Sequence, residues 1–392
     1  MGRTKRTTSI SLGRSTRITA AVLSIVLLLG GVSTYIHLEV PPGTGPYLVG
    51  RTTVTWTDPD RPESRTSRPN DNRVVAATFW YPAITGTGVE APYVHDLADL
   101  DGGLVASGEL SRVEVAGLAW VREGAIADAD PAPTDVGHPL VVLSPGNATN
   151  VAFYASLAEE LASHGYVVLG VDHPYQVAAV ALPDGMVAAY RDRNSFERAI
   201  DDDIVERVED IRFALDQVSA GSPAFLGDSV DADHIGIVGH SNGGLAAAEA
   251  CRQDRRFDAC VNLDGQNLGG PFGHRVTDGA PEQPFMFLTK ETDLHPEMHR
   301  RFESAGAGAV RVVVPSAHHD DFTDGSLFLP GLDPTERRPD RVHEITRGFV
   351  TAFLDHWLRG AQGRVFEGVQ AGEDVYVNVY PLGSNAPLPI MG

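Results

Sequence analysis

The sequence holds little cysteine and little positive charge for its length, and both shortages exclude classes of protein. Cys251 and Cys260 are the two cysteines among 392 residues, too few for a disulfide framework or for a four-cysteine zinc site. Asp and Glu number 52 against 31 Lys and Arg, which gives a formal net charge of −21. A surface this acidic repels phosphate backbones, so we expect no nucleic-acid partner.

One long segment without charged side chains, 18–38, follows a basic N-terminus. As a helix it spans about 31 Å, enough to cross a bilayer core. The basic residues before it favour a cytoplasmic N-terminus and an extracytoplasmic body. The alternative is a secreted protein with a cleaved signal peptide, although small residues after the apolar core form no A-x-A site. In an exported protein Cys251 and Cys260 are either bridged or two buried thiols.

The boundaries predicted from this pattern divide the chain into four parts. Residues 1–17 form a basic cytoplasmic N-terminus, 18–38 the membrane anchor or signal peptide, 39–45 a linker rich in Pro and Gly, and 46–392 the catalytic domain. The domain is predicted to contain an insertion near 90–135.

Within the body, apolar strands alternate with amphipathic helices. Two early strands, 51–57 and 73–81, flank a turn-rich segment and predict an antiparallel edge. Further along, strands are predicted at 139–144, 166–172, 234–241, 259–264, 284–289 and 309–315, and helices at 151–163, 196–219, 244–252, 297–304 and 342–359. Continuous apolar strands between helices predict an α/β domain with a mostly parallel central sheet covered by helices on both faces.

Gly239-His240-Ser241-Asn242-Gly243 fits the G-x-S-x-G pattern between a predicted strand and a predicted helix. This context predicts a tight turn that presents the Ser241 hydroxyl above the end of the sheet. The small neighbours allow the close backbone approach that such a turn requires. Ser241 is therefore the candidate nucleophile.

A serine hydroxyl needs a general base, and the base needs an acid that orients it. His318 and His319 follow the last long strand and compete for the role of base. Asp264 ends the first strand after the nucleophile and Asp293 follows the next one, both at the end of the sheet where such sites lie. Residue types and spacing alone leave both choices open. A zinc site in the His-His-Asp-Asp run is a weaker alternative, since consecutive residues rarely converge on one ion.

An acyl transfer also requires donors for the negative oxygen of the tetrahedral intermediate. One predicted donor is the backbone N–H of Asn242, directly after the nucleophile. The other is the backbone N–H of Asn147, in the loop after strand 139–144.

Several segments in order resemble the α/β-hydrolase superfamily, and more closely the plasma-type platelet-activating factor acetylhydrolases and related microbial lipases. The resemblance covers most of 46–358 and is carried by WYPA (80–83), LSPGN (143–147), LASHGYVVLGVDHP (161–174), VEDIRFALD (208–216), GHSNGG (239–244), RFDACVNLDG (256–265) and HHDDFTD (318–324). It implies an α/β-hydrolase fold and favours Asp264, in a Leu-Asp pair, over Asp293. It also favours His319, three residues before Phe322, over His318.

The resemblance implies a serine carboxylic-ester hydrolase that needs no cofactor or metal. Its expected substrates are small-molecule or lipid esters, with short-chain or oxidised phospholipid acyl groups as the most specific expectation. Pro145 departs from the family, which usually has His there, and resembles the loop of cutinase-like polyester hydrolases. A broader lipase or polyester hydrolase therefore remains an alternative, as does a non-enzymatic binding module of the same fold. The membrane is the other expected partner, through the N-terminal helix.

Overall fold

The apolar strands predicted from 139 onward form the centre of a mixed sheet in the structure, a computed structural model. It describes residues 38–84, 88–191, 196–265, 281–290, 308–328, 338–362, 365–366, 368–369 and 375–380. The strands are β1 (Leu48–Pro62), β2 (Asn72–Ala83), β3 (Glu90–Pro92), β4 (Arg122–Ala127), β5 (His138–Ser144), β6 (Val167–Asp172), β7 (Ala179–Ala181), β8 (Val187–Ala189), β9 (Val230–His240), β10 (Phe257–Leu263), β11 (Phe285–Lys290), β12 (Ala309–Val314) and β13 (Tyr376–Tyr380). Among the described residues, the helices longer than one turn are α1 (Leu97–Ala106), α2 (Arg112–Leu118), α3 (Ala155–Ser163), α4 (Phe196–Ser219), α5 (Asn242–Gln253) and α6 (Pro339–Arg359).

Among the described residues, eleven strands form one sheet in the order β13-β12-β11-β10-β9-β5-β6-β2-β1-β4-β3. The strands from β6 to β12 in this order pair in parallel. Strand β2 joins β6, and β13 joins β12, in antiparallel pairs. The sheet is therefore mixed with a parallel centre, and β7 and β8 form a separate hairpin.

Helices cover both faces of the parallel centre because its strands are apolar on both sides. Leu140, Val141, Val142 and Leu143 of β5 are all buried. Helices α4 and α5 pack in one apolar cluster with alternate residues of β5, β6 and β9. On β9 that cluster takes Ile235 and Ile237, so the intervening Gly236 faces the other side, where side chains of α6 approach it. The predicted α/β architecture agrees with this arrangement.

The predicted insertion near 90–135 contains both helices and strands. It holds α1 and α2, but it also holds β3 and β4, and β4 pairs in parallel with β1. The charged residues of β4 made it unrecognisable as a strand from the sequence. In the structure Glu123 is buried and forms an ion pair with Arg51 at 2.7 Å. Strand β1 likewise continues to Pro62, into the segment predicted as a turn.

Cys251 and Cys260 form a disulfide, which decides between the two alternatives that the sequence left open. It joins α5 to β10, the two elements that follow the candidate nucleophile. The predicted anchor 18–38 lies, except for its last residue, outside the described residues, as do the predicted helix 297–304 and Asp293. In the part of the chain that the structure describes, no helix combines the length and apolar character needed to cross a membrane.

Candidate active site

Ser241 lies in the turn between β9 and α5 and has a strained backbone, with φ 54° and ψ −122°. A positive φ is uncommon for a residue with a side chain and requires support from the surrounding structure. The flanking glycines provide the space. A Cβ at Gly239 would collide with the carbonyl of Gly243, and a Cβ at Gly243 would collide with the carbonyl of Ser144. The turn thus needs both glycines and places the Ser241 hydroxyl at the carboxyl end of the sheet, as predicted.

The structure brings Ser241, His319 and Asp264 into one hydrogen-bonded chain. Ser241 Oγ lies 2.9 Å from His319 Nε2, and His319 Nδ1 lies 2.6 Å from Asp264 Oδ2. Asp264 is buried, and its second oxygen accepts the hydroxyl of Thr289 at 2.6 Å. An ionised carboxylate only accepts hydrogen bonds, so Nδ1 of His319 donates. Nε2 is then left with a lone pair directed at the serine hydroxyl.

The adjacent candidate, His318, lies outside this chain. Its ring is exposed, and its backbone N–H binds Asp321 Oδ2 at 2.8 Å at the start of the turn that carries His319. Within the described ranges, no group of three or more His, Cys, Asp or Glu side chains is arranged to hold a metal ion.

A cavity of about 400 Å³ opens beside Ser241, and the loop 146–148 forms part of its wall. Two amides of this loop are already occupied. The N–H of Gly146 donates to the Tyr154 hydroxyl at 2.9 Å, and that of Ala148 donates to the Gln176 carbonyl at 2.8 Å. Among the described residues the N–H of Asn147 has no protein acceptor. It is the amide of this wall that remains for a substrate oxygen.

Asn242 is the first residue of α5, directly after Ser241. The first N–H groups of a helix have no partner within the helix and carry its positive dipole end. Of the two predicted oxyanion donors, Asn147 lies in the cavity wall and Asn242 directly follows the nucleophile. Both positions suit that role.

His240 and Tyr154 connect these parts, and the sequence analysis singled out neither. Tyr154 donates to His240 Nδ1 at 2.8 Å, and His240 Nε2 lies 3.0 Å from the backbone carbonyl of His319. A carbonyl only accepts, so Nε2 of His240 carries the proton. Burial, together with the neighbouring ring of His319, lowers the pKa of His240 to about 3, so the ring is neutral. The position of His240 within G-x-S-x-G is the sequence signal that it lies beside the nucleophile.

The outer wall of the cavity is acidic. Its lining includes Glu109, Glu114 and Asp320 and, within the described part of the chain, no Lys or Arg. Carboxylates at the mouth favour neutral or cationic groups and repel anionic ones.

Comparisons with known proteins find relatives that are named as acetylhydrolases or esterases. Residues 32–195 match the family described as platelet-activating factor acetylhydrolase, isoform II. A probable 1-alkyl-2-acetylglycerophosphocholine esterase of Arthroderma benhamiae is 30% identical over 45% of this chain and 43% of its own length. A platelet-activating factor acetylhydrolase of Cavia porcellus is 23% identical over 82% of this chain and 80% of its own. The match to the Arthroderma protein thus spans less than half the length of that relative.

A solved structure extends the likeness over nearly the whole domain. The chain is similar to the ferulic acid esterase from Streptomyces cinnamoneus, with 30% identity and a TM-score of 0.72. The match covers 86% of this chain and 98% of that one.

Proposed function

Because the chain belongs to the α/β-hydrolase-type esterases and resembles the platelet-activating factor acetylhydrolases, we propose that it is a serine carboxylic-ester hydrolase. The observation that carries the proposal is the hydrogen-bonded chain from Ser241 through His319 to Asp264, with contacts of 2.9 Å and 2.6 Å. The strained turn at Ser241 and the cavity in front of it support the same reaction.

In the proposed mechanism, Ser241 Oγ attacks the ester carbonyl while His319 Nε2 takes its proton. Asp264 fixes the tautomer of the imidazole and stabilises the imidazolium. The amides of Asn147 and Asn242 bind the oxyanion of the tetrahedral intermediate. His319 then gives the proton to the leaving alcohol, and the acyl group remains on Ser241. A water activated by the same histidine releases the acid and restores the serine.

The proposed substrates are esters with small acyl groups and no net negative charge, and short-chain acyl esters of zwitterionic phospholipids are the most specific candidates. The names of the relatives support an acetyl or similarly small acyl group. The acidic wall formed by Glu109, Glu114 and Asp320 argues against a substrate with a net negative charge. A broader lipase or polyester hydrolase would use the same triad on longer or polymeric esters. A graded series of acyl lengths separates the two.

We further propose that the catalytic domain is extracytoplasmic, either anchored by 18–38 or secreted after cleavage. The apolar segment after a basic N-terminus supports this location, and so does the disulfide between Cys251 and Cys260, because such bonds persist in oxidising compartments. The N-terminal residue of the protein purified from its native cells distinguishes anchor from signal peptide. A first residue between 31 and 40 supports cleavage.

The experiment that tests the activity is Ser241→Ala, assayed on 4-nitrophenyl acetate and on an acetyl phospholipid. Loss of the nucleophile leaves only binding and the oxyanion donors, so we expect kcat to fall by a factor on the order of 10⁴–10⁶. Ser316 is exposed and lies two residues before His318, so Ser316→Ala is the matched control and should retain full activity. A folded Ser241→Ala protein with near-normal turnover would contradict the mechanism. A wild-type protein that hydrolyses no ester would favour the binding module.

A further inference from the structure

Arg207, on α4, lies fully buried behind the loop 145–148 that forms one wall of the cavity. A buried guanidinium is costly unless its donors are satisfied and its charge is balanced. The acceptors that Arg207 binds therefore decide what its burial does for the loop.

The guanidinium binds the loop through three acceptors. Nη1 donates to the carbonyl of Pro145 at 2.6 Å, and Nη2 donates to the carbonyl of Gly146 at 3.3 Å and to Asn147 Oδ1 at 3.0 Å. The carbonyl oxygens of two successive peptides are thereby drawn to the side of the loop that faces α4.

This geometry determines where the next amide points. The carbonyl of Gly146 and the N–H of Asn147 belong to one planar trans peptide, in which the two groups point in opposite directions. A guanidinium that holds the Gly146 oxygen on the α4 side therefore directs the Asn147 N–H to the opposite side, away from α4. That N–H is the amide of the wall with no protein acceptor among the described residues.

Gln176 fixes Arg207 and the loop together. Its side-chain oxygen accepts from Arg207 Nε at 2.7 Å, and its backbone carbonyl accepts the N–H of Ala148 at 2.8 Å. Gln176 Nε2 in turn binds the carbonyl of Asp203 on α4 at 3.2 Å. Burial lowers the pKa of Arg207 to about 10, against the opposing field of Asp203, so the guanidinium stays charged at neutral pH. A rigid, charged support thus lies under the amide.

We propose that Arg207 is the positioning residue of the oxyanion hole: it holds the peptide between Gly146 and Asn147 so that the Asn147 N–H meets the negative oxygen of the tetrahedral intermediate. The inference rests on the proposed hydrolase function and adds to it a residue remote in sequence from the triad. Arg207 does not touch the substrate. Its contribution is a fixed amide direction, together with a positive charge behind that amide.

Thiono esters, in which sulfur replaces the carbonyl oxygen, test this role directly. Attack by Ser241 then places the negative charge on a larger atom that accepts hydrogen bonds poorly, so an amide placed for oxygen stabilises it little. The experiment compares kcat/KM of the purified full-length protein for an oxo ester and for its matched thiono ester. Arg207→Met is expected to lower the oxo value by about 10²-fold, the scale of losing one oxyanion donor. The kcat/KM for the thiono ester should fall less than about fivefold. The ratio of kcat/KM for the oxo ester to that for the thiono ester should therefore drop at least about tenfold.

A purely structural role of Arg207 gives a different result. A smaller folded or active fraction lowers both rates equally and leaves the ratio unchanged. Arg207→Lys is the second variant, in case Arg207→Met does not fold, because it keeps the charge but loses the planar fork that binds the three loop acceptors and Gln176. Its ratio should also fall. Arg212→Met, half-exposed on the same helix and 3.6 Å from Asp254, is the matched control and should retain the wild-type ratio.

An unchanged oxo-to-thiono ratio in a folded Arg207 variant would overturn the positioning role while the hydrolase function stands. If the wild-type protein hydrolyses neither ester, the proposed function fails, and the role of Arg207 fails with it. The two failures are therefore distinguishable in one set of measurements.

Discussion

Replacing Asp264 by Asn tests the triad most sharply, because it removes a charge and changes almost no volume. In the structure one oxygen of Asp264 faces His319 Nδ1 at 2.6 Å, and the other accepts the Thr289 hydroxyl at 2.6 Å. Both neighbours act as donors toward the carboxylate. An amide offers one acceptor and one donor group, so it cannot satisfy the same arrangement.

Either orientation of the amide has a cost. If the NH₂ group faces His319, Nδ1 must accept its hydrogen bond, and the imidazole proton moves to Nε2. Nε2 can then no longer accept the proton of the Ser241 hydroxyl. If the oxygen faces His319, the tautomer is correct and the Thr289 hydroxyl can accept from the NH₂ group, but no negative charge remains to stabilise the imidazolium. We therefore expect Asp264→Asn to lower kcat by about 10⁴, as found where an acid of this kind is replaced.

The assay uses one soluble acetyl ester, with thermal melts to verify folding. Asp320→Asn is the matched control, since Asp320 is exposed beside His319 and its charge is screened by water. We expect that control to change kcat less than tenfold. Near-normal activity of folded Asp264→Asn, with a large loss in Asp293→Asn, would refute the assignment and place the acid after β11.

Two further predictions concern the base and a buried acid. His319→Ala should lose nearly all activity and His318→Ala only a small part, because only the His319 ring meets Ser241 Oγ; the reverse result in kcat measurements would shift the base by one residue. Burial, reinforced by Glu123, raises the pKa of Glu159 to about 8, so the folded state keeps a proton that the unfolded chain has already lost. This contribution to stability is full below about pH 4.5 and is lost as the pH rises toward 8. Other buried groups also titrate in this range, so the test is a difference: between pH 6 and pH 8 the wild type should lose about 2 kcal/mol more of its free energy of unfolding in urea than Glu159→Gln does. Equal slopes in the two proteins would contradict the assignment.

The parallel centre of the fold was predictable because each of its strands is a continuous apolar run. The ends of strands β5, β6, β9, β10, β11 and β12 all lie within four residues of the predicted ones. The hydrophobic effect alone specifies these strands, since both faces must be covered. Helix α4 begins and ends where its apolar periodicity predicted, at Phe196 and Ser219.

The outer strands were not predictable from the same signal. Strand β4 carries Arg122 and Glu123, and charged residues in so short a segment are typical of a loop. Its burial depends on the ion pair between Glu123 and Arg51 of β1, two residues far apart in sequence. Strand β13 is likewise recognisable only through its antiparallel pairing with β12. Elements stabilised by long-range partners leave little local pattern in the sequence.

The candidate site divides along the same line. Residues that carry the chemistry follow strand ends and a short motif, so spacing and family resemblance singled out Ser241, Asp264 and His319. Residues that hold those groups in place have no motif, because their role depends on direction rather than residue type. Arg207 belongs to a helix whose amphipathic pattern only predicts burial, and an arginine in such a pattern is ordinarily assigned to the solvent side. Its function follows from peptide geometry: a donor on the Gly146 carbonyl fixes the opposite face of the same peptide. The positioning role of such a residue can therefore be recognised only when the atoms on both sides of the loop are known. Substitution of Arg207 should lower the preference of the enzyme for oxo esters over thiono esters and leave the triad unchanged.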